Sequence, residues 1–194
     1  MFFGWFRDVH GLPNEPGVYK PASEGYHVLW GWLQVGAVLP VDETDWSANY
    51  AWSAYHPHRQ YKPDRSNTLY LAAKNLSVGG ESFSGIPGSG VFGWFHQNLL
   101  LTDPSQPKRS LWRLPDWFYP SDGKTPLTFH GDPSCWEAAG DYARLKTVGR
   151  GQEFVLDCNQ YPDAERWIRC TIQTHAAVLD VIPTRAASRS AVEG

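Results

Sequence analysis

The most regular feature of the chain is a series of short apolar runs separated by glycine, proline and polar residues. Residues 26–41, YHVLWGWLQVGAVLPV, are rich in β-branched and aromatic side chains and include Gly31 and Gly36. They predict strand structure with a bulge or a close backbone approach at each glycine. Residues 67–76, NTLYLAAKNL, predict a second strand, and residues 151–158, GQEFVLDC, predict a third.

Two later segments have the pattern of helices. Residues 132–145, DPSCWEAAGDYARL, offer Asp132 or Ser134 as a cap, with Pro133 in the first turn. Residues 161–179 start at Pro162 or Asp163 and place several apolar side chains on one helical face, namely Ala164, Trp167, Ile168 and Ile172. The pattern predicts a loop-rich, β-rich α+β fold with a mixed or antiparallel sheet and helices mainly toward the C-terminus. A single domain is expected over residues 1–182, followed by a flexible tail over 183–194.

The chain begins with MFFGWF, and the tetrapeptide Phe-Gly-Trp-Phe recurs at residues 92–95. The flanking sequences differ and no third copy occurs, so we interpret the recurrence as a local device in which a glycine lets an indole lie against backbone. The first copy predicts a buried strand, because aromatic side chains suit a pleated, packed surface. The apolar run stops at Arg7, so we do not expect it to be a secretory signal. We expect an upstream segment or a protein partner to cover the edge of this strand.

Composition narrows the class of protein. The 194 residues are 42% hydrophobic and 19% charged with a net charge of −3, values typical of one globular domain and not of a basic surface that coats duplex DNA. The three cysteines have no Cys-x-x-Cys spacing, so neither a disulfide framework nor a zinc ribbon is indicated. No apolar stretch approaches the length of a membrane span. We therefore expect a cytoplasmic protein that does not bind membranes.

The first candidate functional residues are two histidines. His56 and His58 flank Pro57 in YHPHRQ, and alternate residues of an extended segment point the same way, so both imidazoles are predicted to meet one metal or one anion. A divalent metal needs a third ligand, for which the candidates are His130, Glu153 and Asp157. The alternative is a surface loop whose histidines bond to backbone.

A second group of candidates lies in RGQEFVLD. Alternation sends Glu153 and Asp157 to one face of the predicted strand, where they would act as acid and base, share a metal or pair with basic side chains. Arg150 is flanked by glycines and suits a phosphate or carboxylate, and Gln152 is a candidate for a hydrogen bond to a ligand. A simple turn is the alternative for Arg150.

A third group lies in KRSLWRLPDWF. It combines Lys108, Arg109 and Arg113 with Trp112, Trp117 and Phe118, and cations beside aromatic rings suit a single-stranded segment or an extruded base. The same composition also makes an ordinary loop braced by cation–π contacts. No Gly-x-Gly-x-x-Gly, Walker, His-Glu-x-x-His or Gly-x-Ser-x-Gly motif occurs. The sequence thus lacks the usual signatures of several common enzyme classes.

The blocks FFGWFR, HVLWGWLQVG, HPHRQ, NTLYLA, GSGVF, RSLWRLP and RGQEFVLD occur in this order. From residue 2 to about residue 172 the chain thereby resembles the third type of nucleotide modification associated domain, a bacterial family. The resemblance implies an α/β domain with an upstream segment before FFGWF, in a setting of DNA base modification or recognition, without an established reaction. The matching polar and aromatic positions are His27, Gln34, His56, His58, Arg109, Trp112, His130, Arg150, Gln152, Glu153 and Asp157.

Three functions remain open at this point. The first is binding or processing of a nucleobase or nucleotide, with stacking, edge-reading and phosphate-binding residues drawn from Trp30, Trp32, Trp112, Gln34, Gln152, Arg109 and Arg150. The second is a metal-dependent hydrolase or nuclease, with catalytic residues drawn from His56, His58, His130, Glu153 and Asp157. The third is a scaffold that binds another protein through its aromatic surface.

Overall fold

The computed structural model describes residues 1–10, 18–19, 24–46, 50–60, 66–106, 108–148 and 153–177. The chain forms a strand-rich α+β domain made of several small sheets and a C-terminal helix, which confirms the predicted fold class. Arg150, Gln152 and the predicted tail over 183–194 lie outside the described residues.

The strands are β1 Phe2–Phe6, β2 Val9–His10, β3 Val18–Tyr19, β4 Tyr26–Leu33, β5 Val35–Pro40, β6 Thr68–Ala72, β7 Leu76–Val78, β8 Glu81–Phe83, β9 Ser89–Val91, β10 Leu111–Pro115, β11 Trp136–Ala138 and β12 Tyr142–Lys146. The α-helices are α1 Pro57–Gln60 and α2 Asp163–His175, and the 3₁₀ turns are η1 Ala51–Ser53, η2 Gln97–Leu99, η3 Asp116–Phe118 and η4 Pro133–Cys135. All described strand pairs are antiparallel.

Two three-stranded sheets organise the molecule, with strand orders β1-β4-β9 and β10-β12-β11. Residues 100–102 connect them. Leu101 N–H donates to His27 O at 2.9 Å, and Arg113 N–H donates to Leu101 O at 2.8 Å. Backbone hydrogen bonds therefore run from β4 through this segment to β10, which fixes the two sheets relative to each other.

The long apolar run at residues 26–41 forms β4 and β5, and its two glycines behave as predicted. A Cβ on Gly31 would lie 2.6 Å from Gly90 O, so glycine permits the close approach of β9. The register of β5 against β6 shifts between Val35 and Ala37, which places a bulge at Gly36.

The helix predicted at residues 132–145 is wrong. Asp132 does cap a helical turn, since its carboxylate accepts from Ser134 N–H at 2.8 Å, but this turn is only η4. Gly140 then adopts a φ of +79° and reverses the chain into the β11–β12 hairpin. Ala143 and Leu145 are fully buried on one face of β12. Pairing with β10 thus overrides the helical spacing of these residues.

The strand predicted at residues 151–158 is also wrong over its described part, because residues 153–157 form no regular strand. They run alongside Thr128, whose N–H donates to Val155 O at 3.1 Å and whose hydroxyl accepts from Val155 N–H at 2.9 Å. The predicted alternation is nevertheless present, with Glu153 and Asp157 exposed and Phe154 packed against the core.

Helix α2 confirms the second predicted helix. Its 13 residues bury Ala164 and Ile172, both of which were placed on the apolar face. The main core includes Val28, Leu29, Leu99, Leu101, Trp112, Leu114 and Leu145. Among the described residues, no helix has the length and apolar character needed to cross a membrane.

Candidate functional site

Strand β4 separates two aromatic surfaces. Its side chains alternate, so Tyr26, Val28 and Trp30 point to one face of the β1-β4-β9 sheet, and His27 and Leu29 point to the other. We call the first the open face and the second the closed face. A cavity lies against each of them.

The open face carries an aromatic groove of about 710 Å³. We define the aromatic groove by Phe6, Tyr26, Trp30, Phe92, Trp94 and Phe95, with Arg7, Asp8 and Gln97 at its border. The exposed fractions of Trp30, Trp94 and Phe95 are 41%, 78% and 62%. A cluster of large rings with this much water contact is a candidate ligand surface, because isolated exposed aromatics are common but contiguous ones are not.

Both copies of Phe-Gly-Trp-Phe contribute to this groove. The first copy lies in β1 on one edge of β4, and the second follows β9 on the other edge, where Phe92 N–H donates to Trp30 O at 2.9 Å. A Cβ on Gly4 would lie 3.3 Å from Trp30 Cδ1. Gly4 therefore lets the Trp30 indole lie against the backbone of β1. The glycine and the tryptophan are on two different strands and are not adjacent in sequence.

The closed face bounds a second cavity of about 680 Å³. Its walls include Phe3, Trp112 and Phe154, which meet edge to face or stacked with ring centroids 5.1–5.7 Å apart. The ionisable residues among those lining this cavity include His27, Glu153 and Cys158. The closed face is thus a packed aromatic wall with ionisable side chains at its border.

His27 is held in one tautomer by Trp112. The indole Nε1–H donates to His27 Nδ1 at 2.9 Å, so the ring proton of the neutral form is on Nε2. Burial, together with the nearby Arg109 cation, lowers the pKa of His27 to about 4. In the described structure every buried side-chain polar atom has a partner, and no hydrogen bond from Nε2 is formed, so Nε2–H is accessible at the cavity. It can donate to a ligand acceptor but does not carry a positive charge at neutral pH.

Arg109 lies at the edge of the closed face beside Trp5. Its guanidinium carbon is 4.2 Å from the centroid of the Trp5 ring, and that of Arg7 is also at 4.2 Å. Trp5 Nε1–H donates to Glu24 O at 2.8 Å, which fixes the ring that both cations contact. Within the described residues, no carboxylate forms a salt bridge with Arg109. Its charge remains available to an anion.

His130 is fully buried and both of its ring nitrogens are used. Nδ1 lies 2.8 Å from Thr128 O, and Nε2 accepts from Val148 N–H at 3.2 Å. Burial lowers the pKa of His130, which favours this neutral form. The side chain joins two loop segments and has no lone pair directed at a ligand.

His58 is exposed on α1 and His56 is exposed directly before it, so the segment is not extended as predicted. Their ring centroids are 5.4 Å apart. His58 Nδ1 is 2.5 Å from Asn67 Oδ1, and His56 Nδ1 accepts from His58 N–H at 3.3 Å. Across the described ranges, no three or more His, Cys, Asp or Glu side chains group in a way that could hold a metal ion. The structure does not bring the histidine pair to His130 or to the carboxylates.

The remaining predicted residues lie in different settings. Asp157 accepts hydrogen bonds from Asn159 and Gln160 and closes a surface turn. Trp32 is buried, with Nε1–H donating to Pro87 O at 3.1 Å. Gln34 uses both amide atoms on Ser77, accepting from its N–H at 2.6 Å and donating to its carbonyl at 2.5 Å. These three side chains form hydrogen bonds within the protein.

Trp94, Phe95 and Phe6 were not among the predicted site residues. The recurrence of Phe-Gly-Trp-Phe was the sequence signal that could have found them, because a repeated aromatic motif without a repeated fold points to a shared surface. Sequence periodicity did not separate exposed from buried tryptophans, so Trp32 and Trp112 were chosen for stacking although both are buried.

Searches of curated proteins and of solved structures find no match for the chain. A protein-family model, described as nucleotide modification associated domain 3, matches residues 1–157. The match covers most of the chain, including both faces of the β1-β4-β9 sheet and the β10-β12-β11 sheet. The chain belongs to the nucleotide modification associated domain 3 family.

Proposed function

We propose that the protein binds a nucleobase of a nucleotide or nucleic acid in the aromatic groove, as part of a DNA base-modification system. The observation that carries this proposal is that the exposed rings of Trp94, Phe95 and Trp30 line one groove of about 710 Å³. Pockets for small organic ligands have volumes of ~300–1,000 Å³. A nucleobase and its sugar therefore fit within this groove.

Stacking is the interaction that the groove supplies. In the described structure, Trp94 and Phe95 make no ring–ring contact, whereas Trp30 stacks on Phe2 with centroids 5.2 Å apart and an interplanar angle of 19°. Trp30 thus already stacks on one ring, whereas Trp94 and Phe95 stack on none within the described residues. A flat heterocycle would gain contact with these two rings without displacing an existing pair.

The border of the groove supplies the polar contacts. The Gln97 side chain is exposed and, among the described residues, forms no hydrogen bond, so its amide can pair with a base edge. Arg7 lies over Trp5 at the groove edge, where it would meet an anionic group of the ligand. The net charge of −3 favours a local contact of this kind over a broad phosphate-binding surface.

Calorimetry with a panel of modified and unmodified nucleosides tests the proposal. We expect Trp94→Ala to weaken binding about 10-fold or more, because stacking of one base is worth ~1–3 kcal/mol. Trp52→Ala is the matched control, since Trp52 is also highly exposed but lies in η1, away from the groove. Absence of binding to every nucleoside, or equal losses in the two variants, would contradict the proposal.

A further inference from the structure

A third cavity, different from that of the closed face, adjoins the aromatic groove. This cavity, of about 700 Å³, lies on the other side of η2 and shares Gln97, Leu100 and Pro104 with the groove. We call it the polar cavity. Because the two spaces have common wall residues, a ligand in the groove can continue over η2 into the polar cavity without crossing the core.

The polar cavity has the chemistry of a phosphate-binding site. Arg113 lines it, with its guanidinium carbon 4.1 Å from the centroid of the Tyr142 ring. In the part of the chain that the structure describes, Arg113 forms no salt bridge, whereas the neighbouring Arg144 pairs with Asp103 and Glu137. Stacking on Tyr142 orients the Arg113 fork and leaves its N–H groups available to a phosphate.

Strand β10 explains why Arg113 is directed outward. The side chains of Trp112 and Leu114 are buried in the core, so the alternation of the strand places Arg113 on the opposite, exposed face. The two buried neighbours therefore fix the side of the strand from which Arg113 projects. Its contact with the Tyr142 ring reduces the side-chain entropy that would be lost on binding an anion.

The other polar groups of the cavity suit a sugar or a second base. Asp141 offers a carboxylate acceptor for hydroxyl or amino groups, and Thr174 offers a hydroxyl. His175 also lines the cavity, and burial together with the adjacent His96 lowers its pKa. It is accordingly a neutral hydrogen-bonding group at pH 7. Arg113 is the one cation among the described residues of this cavity.

We propose that the ligand is a phosphodiester-linked strand of at least two nucleotides, with one base in the aromatic groove, the linking phosphate near η2 and Arg113, and the next nucleotide in the polar cavity. Each cavity has the volume of a site for one small organic ligand. A free nucleobase or nucleoside would occupy only the first. This inference rests on the proposed function, because it extends the ligand from the groove.

Binding titrations with a nucleoside, the matching mononucleotide and the matching dinucleotide test the inference, in deoxy and ribo series to separate DNA from RNA. For the wild-type protein we expect the dinucleotide to bind at least 10-fold more tightly than the mononucleotide. Arg113→Ala should remove this gain, leave nucleoside binding unchanged and reduce the slope of log Kd against log salt by about 0.7. Arg166→Ala, at an exposed arginine paired with Asp163 on α2, is the charge-matched control and should change none of these values.

The outcomes separate this inference from the proposed function. Nucleoside binding without tighter dinucleotide binding would overturn the inference and leave the aromatic groove as a base site. Tighter dinucleotide binding that survives in Arg113→Ala would overturn the placement in the polar cavity. Failure of all three ligands to bind would overturn both. Circular dichroism of Arg113→Ala serves as the folding check, since this side chain is exposed and its loss leaves the core intact.

Discussion

The two faces of the β1-β4-β9 sheet use similar residues in opposite ways. On the closed face, the indole N–H of Trp112 is bonded to His27 and its ring packs against Phe3 and Phe154. On the open face, Trp94 forms no hydrogen bond and no ring contact within the described structure, and Trp30 contacts one ring, that of Phe2. Aromatic composition is therefore shared by a surface that stabilises the fold and a surface that is available to a ligand.

The comparison shows that the contacts of a ring, and not its residue type, distinguish a structural aromatic from one that is exposed to solvent. A buried tryptophan needs an acceptor for its indole N–H, and the fold supplies His27 for Trp112 and Pro87 for Trp32. Trp94 has no such acceptor within the described residues, and its side chain is 78% exposed. We therefore expect mutation of a buried tryptophan to lower stability. Mutation of the exposed Trp94 should weaken ligand binding and leave stability unchanged.

Trp112→Ala should give the largest loss of stability. Its ring is buried, so truncation leaves a cavity and an unpaired His27 acceptor. We expect the free energy of unfolding to fall by ~3–5 kcal/mol. Urea unfolding followed by circular dichroism measures it. A loss below about 1 kcal/mol would mean that the closed face is not part of the packed core.

Gly90→Ala should give the next largest loss. A Cβ on Gly90 would overlap Cη2 of Trp32, whose ring is buried and cannot move without disturbing the β4–β9 pairing. We expect a loss of ~1–3 kcal/mol in the same urea assay.

Gly4→Ala is the control for Gly90→Ala. Its Cβ would lie 3.1 Å from Phe6 Cε2 and 3.3 Å from Trp30 Cδ1. Both neighbouring rings are partly solvent-exposed on the open face and can shift by a few tenths of an ångström. The loss should stay below about 1 kcal/mol. Similar losses in both variants would remove the distinction between a rigid and an adaptable aromatic contact.

The sequence was sufficient for the features set by local chemistry. The glycines at 31 and 36 indicated a close approach and a bulge, and the apolar face with its Pro162 start indicated α2. The helix expected at 132–145 failed because a long-range partner decided the outcome. Residues 142–146 alternate between buried and less buried positions only once β10 lies beside them, and no local signal specifies that pairing.

The surroundings of the predicted site residues also depend on long-range contacts. Arg109, Trp112 and Glu153 lie around the closed face with His27, and all four are positions on which the family resemblance was based. His56, His58 and His130 were chosen as ligands by residue type, but their hydrogen bonds are made with Asn67 and with backbone atoms that are distant in sequence or set by a turn. Whether an imidazole is free depends on these contacts, which spacing does not encode.

The protonation of His27 gives a prediction for the closed face alone. Because its pKa is lowered from 6.5 to about 4 in the folded state, the unfolded chain binds the proton more readily. Stability is therefore fully present above pH 6.5 and falls as the pH is lowered from 6.5 toward about 4. NMR titration of the His27 ring should give a midpoint near pH 4. A midpoint near the ordinary value would contradict the buried, neutral assignment.

Arg109→Ala sharpens this test. Burial is the main cause of the lowered pKa and the Arg109 cation is the second, so the variant should raise the His27 midpoint only partly toward 6.5. Arg166→Ala, remote from the sheet and paired with Asp163, should not move it. No change in Arg109→Ala would show that the guanidinium is screened from the imidazole by solvent.

Trp94→Ala should have the smallest effect on stability and the clearest effect on function. Its side chain is exposed and loses no hydrogen bond or ring contact, so the free energy of unfolding should change by less than about 0.5 kcal/mol, as in Trp52→Ala. A loss above 1 kcal/mol would mean that Trp94 packs against the domain. If stability is unchanged while nucleoside binding weakens, then the ring contributes to ligand contact and not to the fold. An exposed indole that contributes nothing to the fold is an aggregation liability unless it binds a ligand. Unchanged stability together with weaker nucleoside binding in this one variant would therefore distinguish the open face from the closed face.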